Sequence, residues 1–116
     1  MPYNIPNFVG VQGGTWARDS YCENDDGTSA SVEGYTGKWE IRPTESSSTV
    51  LLSGTTEDGG MVVGGTAENL VGFRITADQM SDLPVGTHFL TSELYNGPTV
   101  IPYIRATFEV LREGAA

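Results

Sequence analysis

The sequence predicts an all-β fold: a single antiparallel β-sandwich of seven or eight strands, with one short helix near residues 76–83. Three observations predict it. Short runs rich in Val, Ile, Thr, Tyr, Phe and Trp recur at spacings of roughly 8 to 12 residues, separated by Gly, Pro and Asp-Gly turn signals. Residues 35–42 alternate, with Trp39 and Ile41 on one side and Lys38, Glu40 and Arg42 on the other, the pattern of a sheet wet on one face. Residues 76–79, Thr-Ala-Asp-Gln, fit a capping box, in which the Thr hydroxyl and the Gln side chain satisfy each other's exposed amides. Pro84 then confines the helix to one or two turns anchored by Met80 and Leu83.

The remaining elements follow in order. Residues 1–7 carry Pro2 and Pro6 around Tyr3 and Ile5, which forbids helix and predicts an extended arm with two apolar side chains to offer. The sandwich is assigned to 8–112 and a tail to 113–116. Residues 8–12 predict a strand broken at Gly13 and Gly14, and 15–22 a second. Asn24 to Thr28 predict a turn of the Asp-Gly type. After Pro43 and a polar loop, strands are predicted at 49–53, 61–63 and 70–75, with a turn at 57–60. Two long strands, 87–95 and 99–111, form a hairpin about Asn96, Gly97 and Pro98. In the second, Val100, Ile104, Ala106, Phe108 and Val110 are expected on one face, and Pro102 predicts a bulge or an edge position. The arrangement expected of these strands is immunoglobulin-like or jelly-roll-like.

The 116 residues are enough for one domain with a single core. Apolar residues make up 38% and glycines number 15, so turns are many and the core is lean. Fifteen acids against six bases give a net charge of −9, which opposes nucleic acid phosphates and anionic lipid. Neither nucleic acid nor membrane is an expected partner. Asp19, Glu23, Asp25, Asp26 and Glu33 fall close together with only Arg18 among them, so one end or face is expected to be strongly negative. Cys22 is the single cysteine, and stability is expected without cross-links, in the cytosol of the producing cell. No basic start followed by an apolar stretch is present, so neither a signal peptide nor a membrane span is expected.

No constellation of reactive side chains specifies a reaction. His88, the one histidine, sits in a predicted strand beside Phe89 with no titratable partner, and reads as structural. Cys22 reads as a small hydrophobe. Asp25, Asp26 and their neighbours lack the alternating acids and terminal Glu of a calcium loop, and the paired glycines lack the Lys-Ser or Lys-Thr of a phosphate cradle. No catalytic residue, metal or cofactor is expected. Trp16, Trp39, Tyr3, Tyr35, Tyr95 and Tyr103 would suit a sugar platform, but most occupy core-compatible strand positions.

From residue 34 onward the order of segments resembles a family of small β-sandwich structural proteins of tailed bacteriophage virions. The resemblance lies in Gly34 to Gly37 leading into Trp39 and Pro43, then Val50 to Leu52, the Asp58-Gly59-Gly60 turn, and Phe73 to Met80 before Leu83, Pro84, Val85 and Gly86. It implies a non-enzymatic virion component, made in the host cytoplasm: a capsid decoration or cement protein, or a tail or baseplate adaptor. Its partners would be major capsid or tail proteins, with many copies present and homo-oligomers allowed. Tyr3 and Ile5 of the arm, with Asp25 and Asp26 of the acidic hairpin, are the expected partner contacts. The alternative is a carbohydrate- or receptor-binding β-sandwich module.

Overall fold

The computed structural model describes residues 6–112. In chain order it contains β1 (Asn7–Val11), β2 (Trp16–Tyr21), β3 (Thr36–Arg42), β4 (Leu52–Thr55), β5 (Met61–Val63), β6 (Leu70–Ile75), α1 (Ala77–Asp82), β7 (Gly86–Asn96) and β8 (Thr99–Leu111). The strands make a five-stranded sheet, β1-β8-β7-β3-β4, and a three-stranded sheet, β2-β6-β5. Their inner faces enclose one core, including Phe8, Trp39, Ile41, Met61, Phe73, Leu90 and Phe108.

The sandwich is not purely antiparallel. β1 runs parallel to β8, from Asn7 opposite Thr107 to Val11 opposite Leu111, whereas the other strand pairs are antiparallel. Parallel neighbours need a long crossover, and here nearly the whole chain supplies it, so no local turn signal announces the pairing. Asn7, assigned to the arm, is the first residue of β1. Tyr3 and Ile5 lie outside the described residues.

β3 has the expected alternation, with Trp39 and Ile41 fully buried. β4 begins three residues later than expected, because Gly54, not the apolar run at 50–52, must face Trp39. A Cβ on Gly54 would stand 2.5 Å from the indole ring. The approach to β4 is instead anchored by the Leu51 amide, which donates to the Ile41 carbonyl at 2.7 Å.

The β7–β8 register shifts between Thr91 and Glu93. Ser92 Oγ accepts from the Ile104 amide at 3.0 Å, so the bulge leaves no orphan donor there. The shift breaks the single apolar face expected along β8. Val100 is 52% exposed, while the Tyr103 phenol meets Ser20 Oγ at 2.7 Å. Pro102 sits above the reach of β1, on a stretch of β8 with no second neighbour among the described residues, where a missing N–H costs little.

α1 starts as expected. The Gln79 amide donates to Thr76 Oγ1 at 3.2 Å and the Thr76 amide to Gln79 Oε1 at 2.9 Å. Met80 and Leu83 plug the end of the core. The turn from β4 to β5 is held by Asp58, whose Oδ1 accepts from the amides of Thr55 at 2.9 Å and Gly60 at 2.8 Å. Those two hydrogen bonds keep the Asp58 carboxyl below the usual carboxylate range.

Two outcomes follow from this packing. Gly54→Ala forces a methyl into the Trp39 ring and lowers stability by about 2–3 kcal/mol, read as an unfolding midpoint in urea, whereas Gly14→Ala, with only Val11 O at 3.4 Å, stays within about 0.5 kcal/mol. Because the Asp58 carboxyl titrates lower folded than unfolded, its contribution is present above the unfolded value and lost as pH falls through the folded one. The urea midpoints of wild type and Asp58→Asn are therefore separated at pH 7 and converge on acidification below the carboxylate range; a separation independent of pH would contradict the assignment.

Candidate binding surfaces

The strands run between two ends. At one, the β2–β3 connection is tied to the β5–β6 loop: the Cys22 amide donates to Asn69 O at 2.8 Å, the Val32 amide to Glu68 O at 2.7 Å, and Asn69 Nδ2 to Cys22 O at 3.0 Å. This brings Glu23, Asp25, Asp26, Glu33 and Glu68 to one end of the molecule, and none has an ion-pair partner among the described residues. The expected negative end is there, without Asp19. That residue lies on the outer face of the three-stranded sheet, 2.7 Å from Arg74 Nη1, in a gap that a side chain on Gly72 would fill. Asp26 shapes its own turn, since Oδ1 accepts from the Thr28 hydroxyl at 2.6 Å and the Thr28 amide at 3.0 Å. The same two bonds, the hydroxyl foremost, hold its carboxyl low. Asp25 is exposed beside it.

At the opposite end, a corner of the five-stranded sheet turns apolar side chains outward. Val11 pairs with Leu111, and Val9 with Glu109 in the next outward row. Val85 precedes Gly86, whose partner is Val110, and so comes alongside Leu111. These four are 40%, 36%, 44% and 46% exposed in the order Val11, Leu111, Val9, Val85, and they are four of the seven large hydrophobic residues that are exposed among the described residues. The sequence reading missed them. The available signal was in β1 itself: Phe8 faces inward and Val9 and Val11 outward, so neither side of that strand is polar.

A shallow cleft of about 220 Å³ lies where β2, β6 and the start of α1 meet the Asp58 turn, lined by residues that include Thr15, Trp16, Asp58, Arg74, Thr76 and Gln79. The half-buried Trp16 ring packs edge-on against Phe108 at 4.9 Å and tilted against Phe8 at 5.5 Å. Its Nε1–H donates to Val9 O at 3.1 Å. The lining residues come from three stretches, 15–16, 58–60 and 74–79, and apart from the capping-box pair Thr76 and Gln79 no spacing in the sequence joins them.

His88 and Cys22 lie in the body of the fold. His88 is buried opposite Phe108. Its Nε2 is 2.7 Å from Pro84 O, and because a carbonyl only accepts, Nε2–H is the donor and pins the corner between α1 and β7. Nδ1 is buried with no partner among the described residues. Cys22 is half-buried against the core. Near it, burial pushes the Tyr103 phenol up to about 12, against the opposing pull of the Ser20 hydrogen bond.

No family model and no curated protein matches this chain. Among solved structures, the ZIG-8–RIG-5 IG1–IG1 heterodimer is similar at 14% identity over 93% of this chain and 83% of that one, with a TM-score of 0.42. Murine CRIg is similar at 15% identity over 92% of each chain, with a TM-score of 0.45. Neither is a virion protein. The expectation of a phage capsid or tail component, with virion partners, is corrected on that finding, and the segments behind it have a simpler cause. Trp39 answers to Gly54, the Asp58 turn carries the chain between sheets, and residues 73–80 turn β6 into a capped helix. Each is a packing requirement of a two-sheet sandwich and not the mark of a virion.

Proposed function

We propose that this chain is a non-enzymatic recognition module that docks a protein partner through the corner formed by Val9, Val11, Val85 and Leu111. One observation carries the reading: among the described residues, more than half of the exposed large hydrophobic side chains gather on adjacent outward rows of β1, β8 and the entry to β7. Contiguous apolar surface of this kind marks interaction sites, whereas single exposed hydrophobes do not. The two side chains best suited to proton transfer and nucleophilic attack, His88 and Cys22, serve the fold, which supports the non-enzymatic part of the reading.

The strand order supports an immunoglobulin-like arrangement of the variable type. In that scheme β3, β7 and β8 stand for strands C, F and G, β4 adds to their sheet as C′, and β2, β6 and β5 stand for B, E and D. Trp39 occupies the place of the buried strand-C tryptophan, and Leu90 stands two residues after the corner-forming His88, where such domains have their second cysteine. A five-plus-three division of strands does not suit a jelly roll.

The reading is tested by immobilising the chain and a Val11→Glu/Leu111→Glu double variant and exposing both to extract and culture fluid of the source organism, with retained proteins identified by mass spectrometry. The expected result is a protein held by the wild type and reduced at least about tenfold by the double variant, the loss of about 1.4 kcal/mol or more that buried charge brings to an apolar contact, at an unchanged thermal midpoint. A wild type that retains nothing above the blank, or a retained protein indifferent to the double variant, would overturn it.

A further inference from the structure

We infer that the cleft between β2, β6 and the start of α1 binds a neutral saccharide, one pyranose ring in size. The site is separate from the apolar corner and does not depend on it. Its volume of about 220 Å³ exceeds the roughly 150 Å³ of an engineered cavity that takes up benzene, so one ring fits.

One wall is Trp16, already held by Phe8, Phe108 and the hydrogen bond to Val9 O. An aromatic surface fixed in advance loses little conformational freedom when a ligand packs on it. The polar lining is fixed in the same way, because each group has one atom committed to the fold and another with no partner among the described residues. Asp58 commits Oδ1 to Thr55 and Gly60, leaving Oδ2 to accept. Gln79 commits Oε1 to the Thr76 amide, leaving its NH₂ to donate. Thr76 Oγ1 accepts from the Gln79 amide, leaving its hydroxyl hydrogen. Arg74 commits Nη1 to Asp19 and Phe73 O, leaving Nη2.

A carboxylate acceptor, several donors and an aromatic wall on one concave surface match a sugar ring, whose hydroxyls both donate and accept and whose C–H face is apolar. Charge selects the neutral class. The Asp58 and Asp19 carboxylates outnumber the Arg74 guanidinium, and the whole chain carries −9, so an anionic sugar is repelled.

The test is an NMR titration of the ¹⁵N-labelled chain with glucose, galactose, mannose, N-acetylglucosamine and glucuronate, each to about 50 mM, following the Trp16 indole N–H. At least one neutral sugar is expected to move that signal saturably, with a dissociation constant on the order of 1 mM. Asp58→Asn and Gln79→Glu each keep the oxygen that the fold uses and replace the unused atom, so each is expected to weaken binding at least about fivefold while the spectrum stays that of a folded chain; if one variant fails to fold, the other decides. An unmoved Trp16 signal with every neutral sugar, unchanged binding in the folded variants, or tighter binding of glucuronate than of any neutral sugar would overturn the inference.

Discussion

The joint between Trp39, Gly54 and Gly60 is the constraint on which the rest of this sandwich depends. The Trp39 ring lies where a side chain on Gly54 would be, and its Nε1–H donates to Gly60 O at 2.8 Å inside the core. Gly60 in turn approaches so close that a Cβ on it would stand 2.7 Å from the Gly54 Cα. One large side chain therefore fills the space between sheets while its only polar atom is satisfied by the strand connection that crosses between them. Burying a side chain of this size is worth about 4–6 kcal/mol at roughly 25 cal/mol per Å². A buried indole N–H without an acceptor would cancel a good part of that gain.

The same crossing shapes the surface. Asp58 gathers the Thr55 and Gly60 amides so that the chain can leave β4 and enter β5, and the same residue lines the cleft beside Trp16. Trp16 has a parallel double role. Its indole caps the Val9 carbonyl while the Gly14 amide caps that of Val11, so the outer edge of β1 keeps few carbonyls for chance strand pairing. The Val9 and Val11 side chains nevertheless remain outward. The edge is guarded and the adjoining face is left apolar, a combination that favours docking by side chains over addition of a strand.

Local chemistry was legible wherever a short segment settles its own conformation. The capping box at Thr76 and Gln79, the Pro84 stop, the alternation about Trp39 and the Asp-Gly turn before Thr28 all rest on residues within a few positions of each other. The β4 boundary was not legible in this way, since the apolar run at 50–52 outweighs Gly54 until Trp39 is known to stand over it. The continuous apolar face expected along β8 failed for a related reason. The extra residue lies in β8, between Pro102 and Arg105, where Pro102 marks a bulge, but its effect on the apolar face depends on Ser92 of the neighbouring strand, which takes up the Ile104 amide, and on Ser20, which meets the Tyr103 phenol.

By itself, then, the sequence determined that this chain is made of strands and one short helix, where most turns lie, and that Glu23, Asp25, Asp26 and Glu33 fall close together. These are consequences of backbone preference, periodicity and composition, which act over a few residues. Only the tertiary structure decided that β1 pairs in parallel with β8, that four aliphatic side chains meet at one exposed corner, and that Trp16, Asp58, Arg74 and Gln79 share a cleft. Each of these joins segments far apart in the chain, brought together by the burial of two sheets on a common core, and no local pattern carries that information.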